Sequence, residues 1–329
     1  MANLDLRPLS LGELLDRCFT LYRRYFLLFV GIVAIPYLLV LALQLVQTLL
    51  LFSNTFSPDS APAADQPPFS LPSPAGIASF ILFYVAYLVA SVVAYLLSQG
   101  ATVFAVSELY LGHPMTIRDS FRRVRGKMLR LLGVAILNLL ILSATFGVAM
   151  IPLFLIIGAG AALGAARAPI LIGVLALVCF IGVIFLATYV ACRLMVAVPV
   201  ALIEDAGPVT ALQRSFSLTK KNAGRAFLVL LISATITLAA IGILMVPPYA
   251  GMVYSMATRN FGAIRTWTAL FQIASYLGQA LAGPIVIIAT AIFYFDLRVR
   301  KEALDIQMMM MTPGEIPAPL SGGPPTLLS

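Results

Sequence analysis

The chain has 329 residues, of which 61% are hydrophobic and only 10% charged, with a formal net charge of +8 and a mean hydropathy of +1.02. So little polar surface cannot cover a soluble globule of this size, and the composition places the chain in a bilayer. The positive balance reads as a membrane-surface signal, because nucleic-acid binding would require a soluble basic domain and the sequence holds none.

The first element opens at Pro8-Leu-Ser10-Leu-Gly-Glu13. Ser10 at a helix start can accept from the backbone three residues on while Glu13 reaches back, which is a capping box. Leu11, Leu14, Leu15, Cys18, Tyr22 and Tyr25 then follow at helical spacing, with Arg on the other face. A charge-free run over about 27–52 comes next. It is too long for the core of a secretory signal and is read as a retained first span. Residues 53–74, rich in Pro, Ser and Ala, are expected to form a disordered outer loop, and a second charge-free run covers about 76–106.

The pattern then recurs. Pro114-Met-Thr116-Ile-Arg-Asp119 opens a short helix in which Asp is a short partner for the box, and Ile117, Phe121, Val124, Met128 and Leu131 mark its apolar face. Its bases are Arg118, Arg122, Arg123, Arg125, Lys127 and Arg130, followed by runs over about 131–157 and 170–192, the latter continuing to 203. Pro208-Val-Thr210-Ala-Leu-Gln213 opens the third copy, with Arg214, Lys220 and Lys221, ahead of runs over about 226–257 and 266–295. Each run exceeds the ~20 residues a bilayer crossing needs. The expected fold is therefore an all-α integral membrane six-helix bundle with three cytoplasmic interfacial amphipathic helices. Residues 1–311 form a single membrane domain of three parallel repeats (about 5–107, 108–203 and 204–305), and 312–329 form a disordered cytoplasmic tail. Of the 21 Lys and Arg, all but Arg167, Arg259 and Arg265 lie on the connections that carry the short helices or at the two ends. Positive-inside bias thus puts both termini and the three basic helices in the cytoplasm.

Amphipathic helices of this kind lie in the headgroup plane, with bases toward anionic lipid. The nine bases from Arg118 to Lys221 just named either anchor topology or form a site for anionic lipid headgroups or a protein partner. Arg193 is the one base well inside an apolar run, and it should be paired or snorkel. Glu108, Glu204 and Asp296 are its candidate partners, in a structural ion-pair cluster or, alternatively, a substrate or headgroup site. In the sixth run Gln272, Ser275 and Gln279 share a face with Thr268 and Gly283, and Ser91, Tyr95, Ser98 and Thr102 do so in the second. Such stripes are helix contacts more readily than cavity linings.

Catalytic signatures are scarce. His113 is the single histidine, which makes neither a zinc site nor a nucleophilic triad, and Gly158, Gly160 and Gly164 lack the strand–turn–helix setting of a dinucleotide loop. Three cysteines, Cys18, Cys179 and Cys192, imply no disulfide framework. No cofactor is expected. The leading expectation is a non-enzymatic membrane protein that interacts with lipid or scaffolds a partner. A transporter or lipid-moving protein with a path between repeats is the alternative, and an intramembrane enzyme ranks third.

Leu9 to Arg17 with Leu21 to Phe26, Ala211 to Thr219, and above all Tyr294-Phe-Asp-Leu-Arg-Val-Arg-Lys-Glu-Ala-Leu-Asp305 resemble the multi-pass bacterial "glycerophosphoryl diester phosphodiesterase membrane domain" proteins. The resemblance implies a bacterial inner-membrane protein. Where such members are active, the activity belongs to a fused barrel that uses histidines, carboxylates and a metal. These residues include no barrel, so hydrolysis is not implied. Asp296, Arg298, Arg300, Lys301, Glu302 and Asp305 match the tail motif, with Asp296/Arg300 and Arg298/Glu302 at helical i,i+4 spacing.

Overall fold

The structure, a computed structural model, describes residues 9–55, 74–110, 112–162, 169–258 and 260–302. The expected loop within 53–74 and the tail 312–329 fall outside these residues, apart from short helical ends at 53–55 and 74, as do Arg167, Arg259 and Asp305. Among the described residues there are ten helices and no strand: α1 Leu11–Arg24, α2 Phe26–Thr55, α3 Pro74–Tyr110, α4 Ile117–Arg125, α5 Met128–Ala162, α6 Pro169–Leu194, α7 Ala197–Ile203, α8 Pro208–Thr219, α9 Ala223–Ala257 and α10 Phe261–Glu302. Six stretches are long and apolar enough to cross a membrane: α2, α3, α5, α6 with α7, α9 and α10. In lipid only a helix satisfies every backbone donor and acceptor within its own segment, which is why apolar runs of this length adopt one form.

The short helices α1, α4 and α8 gather at one end of the bundle, each handing over to its span through a tight turn. Tyr25 alone separates α1 from α2, Gly126 and Lys127 separate α4 from α5, and Lys220 to Asn222 separate α8 from α9. Ser10 and Glu13 close the full capping box. At α4 the Thr116 side chain accepts from the Asp119 backbone, while the Asp119 carboxylate bonds the Thr116 hydroxyl instead of reaching back to the cap N–H.

The third copy departs from the expected start. α8 begins at Pro208 with Gly207 as its N-cap, so Thr210 lies inside the helix and caps nothing. Proline fits the first helical position because its missing N–H is one that the helix start leaves unpaired. A second correction concerns α4, which stops at Arg125, so Met128 and Leu131 belong to α5.

The amphipathic faces are also turned differently from the expectation. Leu14 and Cys18 of α1, Val124 of α4 and Ala211, Leu212 and Leu218 of α8 are buried against the ends of the spans, not directed into lipid. α1 packs on α10 and α9, α4 on α3 and α2, and α8 on α7 and α5. Each short helix therefore sits on the second span and the first span of the repeat before it, with α1 closing the cycle on the last repeat. The hairpins α2/α3, α5/α6 and α9/α10 meet through α3 with α5, α6 with α9 and α10 with α2. This cyclic order is what three parallel repeats about a common axis require. Glycines permit the close approaches. A Cβ on Gly31 would lie 2.6 Å from Ile117, and one on Gly133 2.7 Å from Pro208, the starts of the short helices seated on α2 and α5.

The ring is uneven. Within the apolar window of α10, 83% is buried, against none of that of α5, so α10 is the post around which the other spans stand. Its Ile288, Ala289, Ile292, Phe293, Tyr294 and Leu297 are fully buried. Pro284 lies within this post and has no N–H to offer the Ala280 carbonyl. Nearby carbonyls accept from side chains of other helices: Leu281 from the Tyr22 hydroxyl, Ala282 from Thr237 at 3.2 Å, and Ile285 from the Cys18 thiol at 3.6 Å.

Candidate functional site

The last two turns of α10 carry Asp296, Arg298, Arg300, Lys301 and Glu302, whose side chains reach α8, α9, the end of α7 and the residue before α1. Arg298, buried, donates from Nε to Glu302 at 3.0 Å and lies 3.9 Å from Glu204. Arg214 of α8 donates from Nε to the other oxygen of Glu204 at 3.0 Å and also pairs with Glu302. Two carboxylates and two guanidiniums therefore alternate around a closed ring, and the Tyr294 hydroxyl donates to Glu204 at 2.9 Å within it. The side chains of Glu204 and Glu302 are only 4% and 8% exposed, so each charge depends on its partners and not on water.

Beside this ring Asp296, fully buried, accepts from the Leu9 N–H at 2.8 Å and from Arg300 at 3.0 Å, with Arg225 of α9 at 3.4 Å. Arg300 and Arg225 also donate to the Leu9 carbonyl, at 2.6 and 2.7 Å. The residue that enters α1 is thus clamped at both its polar groups by the far end of the chain. Lys301 donates to the Ser217 and Lys220 carbonyls at the end of α8, at 2.7 and 2.9 Å, where cations complement the helix dipole.

Two further carboxylates pair with bases in and just after α4. Glu108 takes Arg123 and His113. Asp205, in the left-handed region at φ 56° after α7, binds Lys127 at 2.7 Å and also Arg130. Hydrogen bonds from Lys127 and then Arg130 hold the Asp205 carboxyl below its usual range.

Of the four residues expected to form one cluster, Glu204 and Asp296 enter two adjacent networks, Glu108 pairs elsewhere, and Arg193 pairs with none of them. Among the described residues no carboxylate lies within ion-pair reach of Arg193. Its guanidinium lies over the rings of Phe216 and Tyr189, at 5.1 and 5.9 Å. The reason is a break in the fourth span. α6 ends at Leu194 and α7 begins at Ala197, with Pro199 in its first turn, which sets Arg193 beside α8 instead of deep in the bilayer.

The lipid-headgroup candidates also separate. Arg118, Arg122 and Arg125 are exposed along one side of α4, and Lys220 and Lys221 are exposed in the turn after α8. Arg123, Lys127, Arg130 and Arg214 are engaged with the carboxylates named above. In the sixth span Gln272 donates to Thr48 of α2 at 2.7 Å, a helix contact, and Ser275 and Gln279 are half-buried along the same helix. None of the three lines the cavity that the bundle does contain. That cavity, of about 170 Å³, lies where α3, α5, α6, α7, α9 and α10 meet. Tyr95, Gln99, Asn138 and Thr290 supply its polar groups, and Met195 and Pro199 mark the helix break. Among the described residues no three His, Cys, Asp or Glu are grouped to hold a metal ion.

Residues 73–309 match the family described as Domain of unknown function (DUF8558). The chain belongs to that family. No curated protein and no solved structure matches it. The DUF8558 segment takes in α3 to α10, and so both networks of the α10 end except Leu9, together with the cavity and the α4 bases. Arg214, Glu302 and Tyr294 as ring members, and Gln99 and Asn138 as cavity residues, went unsingled in the sequence. The i,i+4 spacing of Arg298 and Glu302 signalled the local pair, but nothing local signals a partner 88 residues away.

Proposed function

We propose that this protein is a non-enzymatic, multi-pass protein of a bacterial inner membrane, with both termini in the cytoplasm, that recognises anionic phospholipid at its cytoplasmic end. The observation that carries the reading is the stripe on α4. Arg118, Arg122 and Arg125 recur at i, i+4 and i+7, are exposed, and have no carboxylate partner among the described residues. Arg123, Lys127, Arg130, Arg214 and Arg225, by contrast, each face a carboxylate. A base near an anionic surface contributes about 1 kcal/mol, so the stripe supplies enough to enrich such lipid severalfold. The bias of Lys and Arg toward this end supports the cytoplasmic orientation. Kinship with the glycerophosphoryl diester phosphodiesterase membrane domain proteins is part of the same proposal, supported by the tail residues Asp296, Arg298, Arg300, Lys301 and Glu302.

The test is native mass spectrometry of protein extracted gently from its own membrane. Replacing Arg118, Arg122 and Arg125 together by Gln should reduce co-purified anionic phospholipid at least threefold. Unchanged retention of lipid would overturn the reading.

A second reading, passage of a solute or lipid between the repeats, draws on the cavity. Its wall is mostly apolar but carries the polar groups of Tyr95, Gln99, Asn138 and Thr290, it adjoins a broken helix, and the Asn138 Oδ1 atom is buried there with no hydrogen-bond partner; interrupted helices near the middle of a bundle are where transporters build sites. With Cys18, Cys179 and Cys192 replaced, Asn138→Cys should react with a membrane-impermeant thiol reagent if a water-filled path reaches the cavity. Complete protection of that thiol would remove the support for passage.

A further inference from the structure

Arg193 is a half-buried base at this end that meets no carboxylate among the described residues. Its backbone is well explained. Pro199 has no N–H for the Met195 carbonyl, so the helix breaks, and the freed Arg193 carbonyl accepts from Ser215 at 2.7 Å and Thr219 at 3.4 Å. Those two bonds fasten the end of α6 to α8 and fix the level of Arg193 at the edge of the bundle. The side chain is a different matter. Its Nε–H is buried without a hydrogen-bond partner, although Phe216 and Tyr189 hold the guanidinium in a defined plane.

The surroundings add positive charge. Arg193, Lys220, Lys221 and Arg214 all act on Lys301 through Coulomb repulsion. The two nearby carboxylates, Glu204 and Glu302, are already divided between Arg214 and Arg298. The C-terminal carbonyls of α6 favour a cation here, but they give the buried Nε–H no acceptor, and an unmet donor of this kind is costly. A planar guanidinium with free N–H groups matches the oxygens of a phosphate. Tyr189, on one side of it, is 45% exposed on the lipid-facing surface of α6, so the open approach is from the bilayer edge.

We propose that Arg193, with Lys220 and Lys221 alongside, forms a site for a phosphate group, supplied by a phospholipid headgroup entering along α6. The proposal rests on the reading that this end takes anionic lipid, but it names a sector of the molecule that α4 does not touch.

The test uses the full chain in nanodiscs of phosphatidylcholine doped with phosphatidylglycerol, with bound lipid counted by native mass spectrometry. Wild type should retain one phosphatidylglycerol per chain that Arg193→Gln loses, with about tenfold weaker apparent binding. Arg193→Lys, which keeps the charge without the fork, should fall between. Because Arg193→Gln could fold poorly, the exposed pair Lys220→Gln/Lys221→Gln serves as a second variant and should also weaken that one site. If Arg193→Gln and the lysine pair both keep the full complement, the site is refuted, whatever the α4 variant does. If wild type retains no phosphatidylglycerol over phosphatidylcholine, the broader lipid reading fails and this site with it. Displacement of the bound lipid by millimolar inorganic phosphate would mean that the site takes free phosphate; persistence in phosphate assigns it to the headgroup.

Discussion

Replacing Arg298 by Met, which keeps the aliphatic stem and removes the charge, should destabilise the protein by about 3–5 kcal/mol, the range for stranding a buried ionic partner. Arg298 and Arg214 share Glu204 and Glu302. Without Arg298, both almost fully enclosed carboxylates lose a buried guanidinium, and Arg214, itself 23% exposed, still pairs with each. The loss leaves a gap beside Tyr294 that water or a shift in packing must fill. The midpoint of thermal unfolding in detergent should fall by several degrees. The double variant Arg298→Met/Glu302→Met should recover part of the loss, because it removes the stranded charge along with its partner. A single variant with the wild-type midpoint would mean that the ring is not what fastens α7, α8 and α10 together.

The second large effect is expected at the other end of the longest hairpin. A Cβ on Gly251 of α9 would fall 2.2–2.5 Å from three ring atoms of Trp267 on α10. Gly251→Ala must therefore displace the indole or part the helices, a cost of about 1–3 kcal/mol for overpacking, and Gly251→Leu should cost more. Trp267 is the single tryptophan, so its fluorescence reports the site directly, and the emission maximum should shift in Gly251→Ala. Gly147→Ala is the control. Open space surrounds that position, and alanine favours a helix by up to about 1 kcal/mol over glycine, so it should be neutral or stabilising. Equal stability and emission for Gly251→Ala and wild type would show that the helices do not approach so closely.

Much of this architecture is written locally. Charge-free runs fix the six spans, Ser10 and Glu13 announce the start of α1, and the i,i+4 spacing of Asp296 with Arg300 and of Arg298 with Glu302 shows that α10 continues as a salt-bridged helix. What eluded local reading depends on tertiary placement. Arg193 looked deep because its apolar run continues to Ile203, and only the break at Met195 and Val196 brings it level with α8. Arg214 looked like any surface base of an amphipathic helix, yet it faces inward because Glu204 and Glu302 arrive from two other elements. The stripe of Gln272 read as a helix contact and makes one with Thr48, whereas the cavity opens on Tyr95, which its own stripe had marked, and on Gln99, Asn138 and Thr290, which only the packing of three spans brings together.

The closure of α1 on α10 has a consequence for the order of synthesis. The apolar side of α1, with Leu14 and Cys18, is made long before the Ile285 carbonyl that receives Cys18 and the Asp296 carboxylate that receives Leu9. Until α10 is made, α1 lacks the helix on which it chiefly packs. An amphipathic helix in that position rests at the lipid headgroups. Docking of α1 onto α10 is therefore a late step of assembly, made only once that helix has been synthesised.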